Sequence, residues 1–218
     1  RTGRRRLRFG LASTLVVSQV ALSMVLLTGA GLFARSLMKL QEEQVGFNRD
    51  NVLLVGINTR LARYKPTELS TLYSRLLDRL EALPHVQSAT IATYSPMSGI
   101  GRSSSVTVRG YTPSPGEDME VADMLLGPAY CETLGVPLLL GREIGPRDTP
   151  AAQKITVINQ AFARRFFTGQ NPIGKRFHIG DDDDPERSED LEIVGVIGDV
   201  KYESVREDPS PTFYRPIL

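Results

Sequence analysis

The chain has 218 residues, of which 41% are hydrophobic and 23% are charged, and its formal net charge is +1. This composition is typical of an ordinary folded protein, and the length allows one large or two small domains. A single cysteine, Cys131, cannot form an internal disulfide, and the histidines are only His85 and His178. These counts exclude a disulfide scaffold and a structural zinc site, so no cofactor or metal is expected.

The positive charge is concentrated at the amino terminus, where five arginines fall within the first eight residues. Without them the remainder of the chain has a net charge of −4. A mildly acidic remainder does not favour a nucleic-acid surface, which needs a basic face. No nucleic-acid partner is therefore expected.

A run of 26 residues without a charged side chain follows, from Phe9 to Ala34. As a helix it would be about 39 Å long, which exceeds the ~30 Å hydrocarbon core of a bilayer. Residues 9–34 therefore predict a transmembrane helix. The arginines before it outweigh the positive charge after it, and this bias predicts that residues 1–8 form a cytoplasmic tail. The main domain would then lie in the periplasm, outside the bacterial inner membrane.

A cleaved signal peptide also has a basic start and an apolar run, and it is the alternative. However, the run is longer than the ~7–15 apolar residues of a typical signal peptide, and Leu32-Phe33-Ala34 lacks the small residue preferred at position −3. Small and polar residues inside the span favour packing against other membrane helices. The candidate packing residues are Ser18, Gln19, Gly29 and Gly31.

The helical pattern continues past the membrane segment. Apolar residues keep helical spacing as far as Leu37 and Leu40, and no proline or glycine occurs between Gly31 and Gly46. Residues 35–46 therefore predict a stalk, with Leu37 and Leu40 packed against a partner helix. A frayed linker is the alternative.

The region after the stalk predicts a strand, a helix and a second strand. Asn51–Asn58 is rich in Val, Leu and Ile and predicts a buried strand, and Val86–Thr93 predicts another. Between them, leucines at helical spacing predict a helix that begins at Pro66, ends before Pro84 and lies with one face on a sheet. This order defines an α/β layer.

Further along the chain, alternating apolar residues and turn signals predict short elements. Helices are predicted at Tyr130–Leu134 and at Asn159–Phe167, the second capped by Asn159. Strands are predicted at Ser105–Arg109, Val121–Leu126, Leu138–Leu140, Ile155–Ile158, Arg176–Ile179, Leu191–Ile197 and Thr212–Pro216. The predicted fold class is α+β, with one amino-terminal transmembrane helix and a mixed extracytoplasmic domain.

Two segments resemble ligand-binding loops. Gly169–Lys175 fits the start of a phosphate-binding loop, but Arg176 stands where Ser or Thr would bind magnesium, and a helix precedes the segment instead of a strand. We interpret it as a turn. Asp181–Asp184 lacks the alternating acids and the glycine of a calcium loop, and Pro185 follows directly, so it predicts a solvated acidic loop.

Candidate nucleophiles are the run Ser103–Ser105 and Cys131, with His85 or His178 as the base. Neither histidine falls in a catalytic motif, and no G-x-S-x-G sequence occurs. We interpret both histidines as surface or strand residues and Cys131 as a small buried hydrophobe. No enzymatic activity is expected.

Six stretches occur in the order found in one family and cover essentially the whole chain. They are LVVSQVALSMVLLTGAGLFARSL, GFNRDNVL, LLDRLEALPHVQSATIATYSPMSG, GPAYCETLGVPLLLGREI, VINQAFARRFFTGQNPIGKRF and LEIVGVIGDVKYESVREDPSPTFYRPI. Together they resemble the MacB-like and FtsX-like permeases of ABC transporters, closest to the large duplicated permeases of acidobacteria. One departure is Cys131, where the family usually has phenylalanine.

The resemblance implies a domain inserted after the first of four transmembrane helices and made of two subdomains. Residues 47–122 would begin a Porter-like subdomain, residues 123–205 would form a Sabre-like subdomain, and residues 206–218 would return to the first. The chain would then be a fragment, with the last Porter elements and three more membrane helices beyond Leu218.

The function that the resemblance implies is mechanical. A cytoplasmic ABC ATPase subunit would move the permease helices, and the stalk would pass that movement to the outer domain, for efflux or for mechanotransmission in the envelope. The expected partners are the membrane, this ATPase and a second permease copy or repeat. The alternative is the extracytoplasmic sensor domain of a transmembrane signalling receptor, which also has a membrane helix, a stalk and a mixed domain.

Overall fold

A computed structural model of the chain describes residues 10–42, 45–59, 64–99, 101–149, 152–180, 188–204, 206 and 208–218. The predicted basic tail 1–8 and the acidic run Asp181–Asp184 lie outside the described residues. The chain divides into two units, which meet between Gln44 and Val45 and are described one at a time.

The first unit is built on helix α1, which runs without interruption from Leu11 to Glu42. The predicted transmembrane helix and the described part of the stalk are therefore one helix. Two polar side chains bond to its own backbone, since the Ser18 hydroxyl donates to the Leu15 carbonyl and the Thr28 hydroxyl to the Met24 carbonyl, both at 2.8 Å. Hydroxyls satisfied in this way can lie in hydrocarbon without losing a partner.

The second unit contains three helices and seven strands among its described residues. The helices are α2 Pro66–Glu81, α3 Tyr130–Leu134 and α4 Gln160–Phe166. The strands are β1 Ser103–Val108, β2 Glu120–Leu126, β3 Leu138–Gly141, β4 Ile155–Asn159, β5 Arg176–Ile179, β6 Glu189–Ile197 and β7 Thr212–Pro216. The predicted α+β class is confirmed.

The strands form one sheet in the order β3-β6-β4-β7-β2-β1-β5, and β5 also pairs with β6. All the strands except β3 therefore close into a ring. The closure depends on the length of β6, whose first residues pair with Arg176–Ile179 of β5 while its last residues pair with β3. A closed ring leaves fewer unpaired strand edges than an open sheet.

Aromatic side chains fill one half of the core. Phe162 of α4 is fully buried, and its ring centroid lies 5.0 Å from that of Phe177 and 4.6 Å from that of Phe166. Phe162 and Phe166, one turn apart in α4, therefore both pack into this core. Asn159 caps α4 as predicted, because its side-chain oxygen accepts the Phe162 amide at 2.9 Å. The same oxygen accepts the Thr212 amide, which ties α4 to β7.

Two strand predictions are wrong. Neither Asn51–Asn58 nor Val86–Thr93 forms a strand, apart from one isolated bridge between Ala92 and Leu126. A strand needs a hydrogen-bonded neighbour, and no described residue pairs with Val52–Asn58. Leu53 and Val55, predicted to be buried, are 86% and 72% exposed. The predicted position of α2 on a sheet of these two strands is therefore not found, and Leu77 is the one buried residue among the α2 side chains that the structure describes.

The sheet does not divide where the two subdomains were predicted to meet. Strand β2 runs through the boundary between Ala122 and Asp123, and β7, predicted to return to the first subdomain, lies between β4 and β2. Pairing with strands from both sides holds these residues in one layer. The division into two subdomains stays a prediction.

Candidate functional site

The four predicted packing residues of α1 do not share one face. At about 100° per residue, Ser18 and Gly29 lie about 20° apart around the helix, whereas Gln19 is about 100° from Ser18 and Gly31 is on the far side. Apart from the neighbouring backbone of α1 itself, no described atom comes within 4 Å of a Cβ placed on Gly29 or Gly31. Ser18 and Gly29 are therefore the two that lie on one side of the helix, and the packing role of the four residues stays a prediction.

The stalk residues Leu37 and Leu40 are three positions apart in α1, so both lie on one side of the helix. The Leu37 side chain is 47% exposed, and the Leu40 side chain lies outside the described residues. A contact with another protein is marked by a large exposed apolar patch, and a single exposed leucine does not form one. The role predicted for the two leucines stays a prediction.

The chain enters the second unit through a short segment, Val45–Asn48, which we call the anchor. Val45 is 4% exposed, and its carbonyl accepts the Lys201 amide at 3.0 Å. The Asn48 amide donates to the Leu134 carbonyl at 2.7 Å. Between them Gly46 has a φ of 84°, and a Cβ on this residue would lie 1.8 Å from the Asp199 carbonyl oxygen. Two backbone segments thus touch directly at Gly46.

The anchor meets a loop, Gly198–Tyr202, that follows β6 directly. The Asp199 carboxylate accepts the Ala161 amide at 2.7 Å and pairs with the Arg164 guanidinium at 2.9 Å. The Gly198 amide donates to the Pro137 carbonyl at 2.8 Å. The loop is therefore fixed to the first turn of α4 and to the segment before β3.

Three buried tyrosines lie behind this loop. The Tyr202 hydroxyl lies 2.6 Å from that of Tyr130 in α3 and donates to that of Tyr214 in β7 at 3.4 Å. Burial raises the pKa of all three phenols, so each stays neutral. Burial likewise raises the pKa of the neighbouring Cys131 thiol to about 12. The thiol therefore stays protonated at neutral pH, which agrees with the predicted role as a buried hydrophobe.

A buried ion cluster joins β2 to β7. The Asp123 carboxylate is fully buried and pairs with Arg215 at 2.6 Å and with Arg102 at 2.8 Å. The Ser104 hydroxyl donates to it at 3.2 Å. Every charge has a partner, so removal of one member would leave a buried charge uncompensated. Sequence analysis missed it, although the one acid within the apolar run of β2 was its signal.

The segment Gly169–Lys175 is a turn between α4 and β5, as predicted. Three of its amides already have acceptors, because Ile173 donates to the Asn171 side chain, Gly174 to the Ile193 carbonyl and Lys175 to the Pro172 carbonyl. The Lys175 ammonium donates to the Gln170 side chain. These donors are therefore not arranged to hold a phosphate group.

His178 has two partners that the sequence did not indicate. Its Nε2 lies 2.6 Å from the Ser188 hydroxyl, and its Nδ1 lies 3.0 Å from the Asp190 carboxylate. The order of groups is that of a catalytic triad, but His178 and Asp190 are 40% and 51% exposed on neighbouring strands. A hydrolase holds such groups in a pocket that orients the substrate. We interpret them as a cross-strand polar contact.

A model of one protein family, described as the MacB-like periplasmic core domain, matches residues 13–217. The chain belongs to this family. It is accordingly a MacB-like periplasmic domain of an ABC transporter permease, joined to an amino-terminal transmembrane helix. Among the described residues, Ser13–Lys39 within α1 is the helix that is long and apolar enough to span a bilayer. A comparison with curated proteins gave no match.

Three solved structures are similar to this chain. The periplasmic region of MacB from Actinobacillus actinomycetemcomitans is 19% identical, with a TM-score of 0.46, over 82% of this chain and 70% of that one. The extracellular domain of the noncanonic ABC-type transporter YknZ from Gram-positive bacteria is 16% identical, with a TM-score of 0.43, over 66% and 62%. A domain of a permease protein from Porphyromonas gingivalis is 21% identical, with a TM-score of 0.41, over 63% and 53%.

Proposed function

We propose that α1 couples ATP hydrolysis by a separate cytoplasmic ATPase subunit to a change of shape in the outer domain. The observation that carries this proposal is the uninterrupted length of α1, from Leu11 to Glu42. Its 32 residues extend about 48 Å, against the ~30 Å of a hydrocarbon core. A continuous helix that projects beyond the bilayer can act as a lever, whereas a flexible linker cannot.

The charge pattern supports an amino terminus in the cytoplasm. Five arginines precede the span, whereas Arg35 and Lys39 are its first basic residues on the other side. Basic residues next to a membrane helix favour the cytoplasmic side, which would place Val45–Leu218 in the periplasm. The ATPase and the outer domain would then lie on opposite sides of the membrane, with α1 as a connection between them.

The subunit works without chemistry of its own in this proposal, so it is not an enzyme. A second permease copy or repeat would pack on Ser18 and Gly29 within the membrane and on Leu37 and Leu40 above it. The outer domain would act as two subdomains, Porter-like and Sabre-like, that change their arrangement. Efflux of a substrate and mechanical signalling in the envelope are both outcomes that such a movement can drive.

The experiment interrupts helix α1 with a proline. Met38→Pro in the full permease complex removes one helix hydrogen bond and places the proline ring against the preceding turn, at a cost of ~3 kcal/mol or more. The matched control is Met38→Leu, which keeps the helix. We expect the proline variant to retain expression and measurable ATP hydrolysis while transport, or the corresponding cellular phenotype, is lost. Full function in Met38→Pro would show that residues 35–44 are a passive linker, and the coupling proposal would be dropped.

A further inference from the structure

We propose that the anchor Val45–Asn48 is the point at which displacement of α1 enters the outer domain, with Gly46 and the Gly198–Tyr202 loop as the transmitting contact. This inference rests on the proposed coupling function and identifies the residues through which it would act. It follows from three features of the anchor. Its backbone touches the backbone of the Gly198–Tyr202 loop, it is held on two sides, and this loop contacts several other elements of the domain.

The contact at Gly46 is between main chains. Its φ of 84° lies in the left-handed region that glycine adopts without strain, and the Asp199 carbonyl oxygen occupies the place of a Cβ. The Val45 carbonyl also accepts the Lys201 amide one residue away. A contact between side chains could relax by a change of rotamer, but main chains cannot. Movement of Val45–Gly46 therefore has to move the loop or break the hydrogen bond.

The anchor is held on a second side by α3. The Asn48 amide donates to the Leu134 carbonyl in the last turn of that helix. Gly135, which ends α3 with a φ of 66°, approaches so closely that a Cβ on it would lie 3.1 Å from the Asn48 Cβ. Contacts on two sides let the anchor transmit a pull as well as a push.

The receiving loop connects to α4, α3 and β7. Asp199 binds the first turn of α4 through the Ala161 amide and through Arg164. Tyr202 meets the hydroxyls of Tyr130 in α3 and Tyr214 in β7. Because the loop follows β6 without a break, it is also continuous with the strand that closes the ring. A displacement at Gly46 thus reaches the whole sheet through one loop.

The segment 53–57, further along the chain, is more exposed than the anchor. From Leu53 to Ile57 the apolar side chains are exposed, and no described strand pairs with this segment. Displacement of this segment would not displace the sheet, because the segment is not paired with a strand. The anchor is therefore the first place along the chain where motion of α1 can act on the folded domain.

The test compares two glycine substitutions in the full permease complex with its ATPase. Gly46→Ala is the disruptive change, and Gly110→Ala is the matched control, because Gly110 has a φ of 86° and no atom within 4 Å of an added Cβ. Both variants carry the same backbone strain, and only the first pushes against Asp199. We expect Gly46→Ala to keep ATP hydrolysis and lose most of its transport, while Gly110→Ala keeps both.

Hydrogen exchange supplies a readout that general destabilisation would not reproduce. Peptides covering 45–48 and 198–204 are followed in the nucleotide-free and ATP-bound complex, with β6 as the measure of folding. In the parent and in Gly110→Ala, protection of both peptides should change together with nucleotide. In Gly46→Ala, the change in 198–204 should disappear while β6 stays protected.

The outcomes separate this inference from the proposed function. If Met38→Pro abolishes transport while Gly46→Ala behaves like Gly110→Ala, the transmitting role of the anchor is contradicted, whereas the proposed coupling by α1 is supported. If Met38→Pro is fully active, the proposed coupling by α1 is contradicted. Should Gly46→Ala lose protection of β6, Gly135→Ala gives a milder test, since its Cβ meets only the Asn48 side chain at 3.1 Å and its amide at 3.7 Å. An unchanged nucleotide response in that variant would also overturn the anchor.

Discussion

The two parts of the outer domain differ in how their apolar residues are used. In the six strands that close the ring, nearly every large apolar side chain is buried, whereas the leucines of β3, which lies outside the ring, are exposed. Between Phe47 and Gly99, the core residues that the structure describes are Leu77 and Ala89. Both parts contain runs of Val, Leu and Ile of similar hydrophobicity. Apolar sequence is therefore not sufficient for a strand, because the backbone also needs a partner.

The difference predicts where the domain is sensitive to substitution. Phe162 lies among four other phenylalanines of the ring core and is fully buried. Phe162→Ala should lower the free energy of unfolding by about 3–5 kcal/mol, because it removes buried area and leaves a cavity. Chemical denaturation of the solubilised chain, followed by tyrosine fluorescence, measures the effect. A loss below ~1 kcal/mol would mean that this core is loosely packed.

A smaller loss is expected at the ion cluster between β2 and β7. Asp123→Asn removes the charge that faces Arg215, whose side chain is only 16% exposed. Breaking such a pair costs about 3 kcal/mol, at the lower end of the usual range, because Glu189 remains 3.5 Å from Arg215. Glu192→Gln, which breaks the more exposed pair with Arg176, is the control and should cost no more than ~1 kcal/mol. Equal losses in the two variants would contradict the structural role of the buried cluster.

A pH-dependent effect is expected at Glu117. The Tyr111 hydroxyl, the Ser114 amide and Arg165 together lower the pKa of this carboxyl from 4.5 to about 2. A lowered pKa means that the contribution to stability is complete above pH 4.5 and is lost as the pH falls towards 2. Glu117→Gln should therefore be less stable than the parent at pH 7, and the difference should shrink steadily below pH 4.5. A difference that does not change with pH would show that the charge of Glu117 is not involved.

The smallest effect is expected in the exposed segment. Leu53→Ser replaces a side chain that contacts little else, so unfolding of the domain should change by less than about 0.5 kcal/mol. The same denaturation experiment tests this value against Phe162→Ala. A loss above ~2 kcal/mol would show that Leu53 is buried in the protein as it exists, and the contrast between the two regions would disappear.

The sequence predicted those elements whose signals are local. The bounds of α3, β5 and β7 agree with the structure, because each is a short patterned run between turn residues. Asn159 was recognised as a cap because a polar side chain precedes the apolar residues of a helix. The predicted strands at 51–58 and 86–93 were wrong, since composition says nothing about whether a partner strand is present.

Long-range features could not be predicted. Closure of the ring depends on β5 and β6 pairing in a register that no single segment specifies. The ion cluster joins Arg102, Asp123 and Arg215, which are far apart in sequence. The anchor could not be predicted for the same reason. In the sequence Gly46 only ends a glycine-free run, and the structure is needed to show that Asp199 lies against it. Its one local signal was a glycine directly after the predicted stalk.

The proposed coupling is tested most directly by finding the side of the membrane on which each end of α1 lies. Cysteines are introduced at Ser114, in an exposed loop of the outer domain, and at Thr2, and intact cells are treated with a membrane-impermeant maleimide. The native Cys131 is buried and should react little. We expect labelling at Ser114→Cys in cells with an intact inner membrane, and labelling at Thr2→Cys only after that membrane is opened. The reverse pattern would place the domain in the cytoplasm and contradict a lever that carries motion outward.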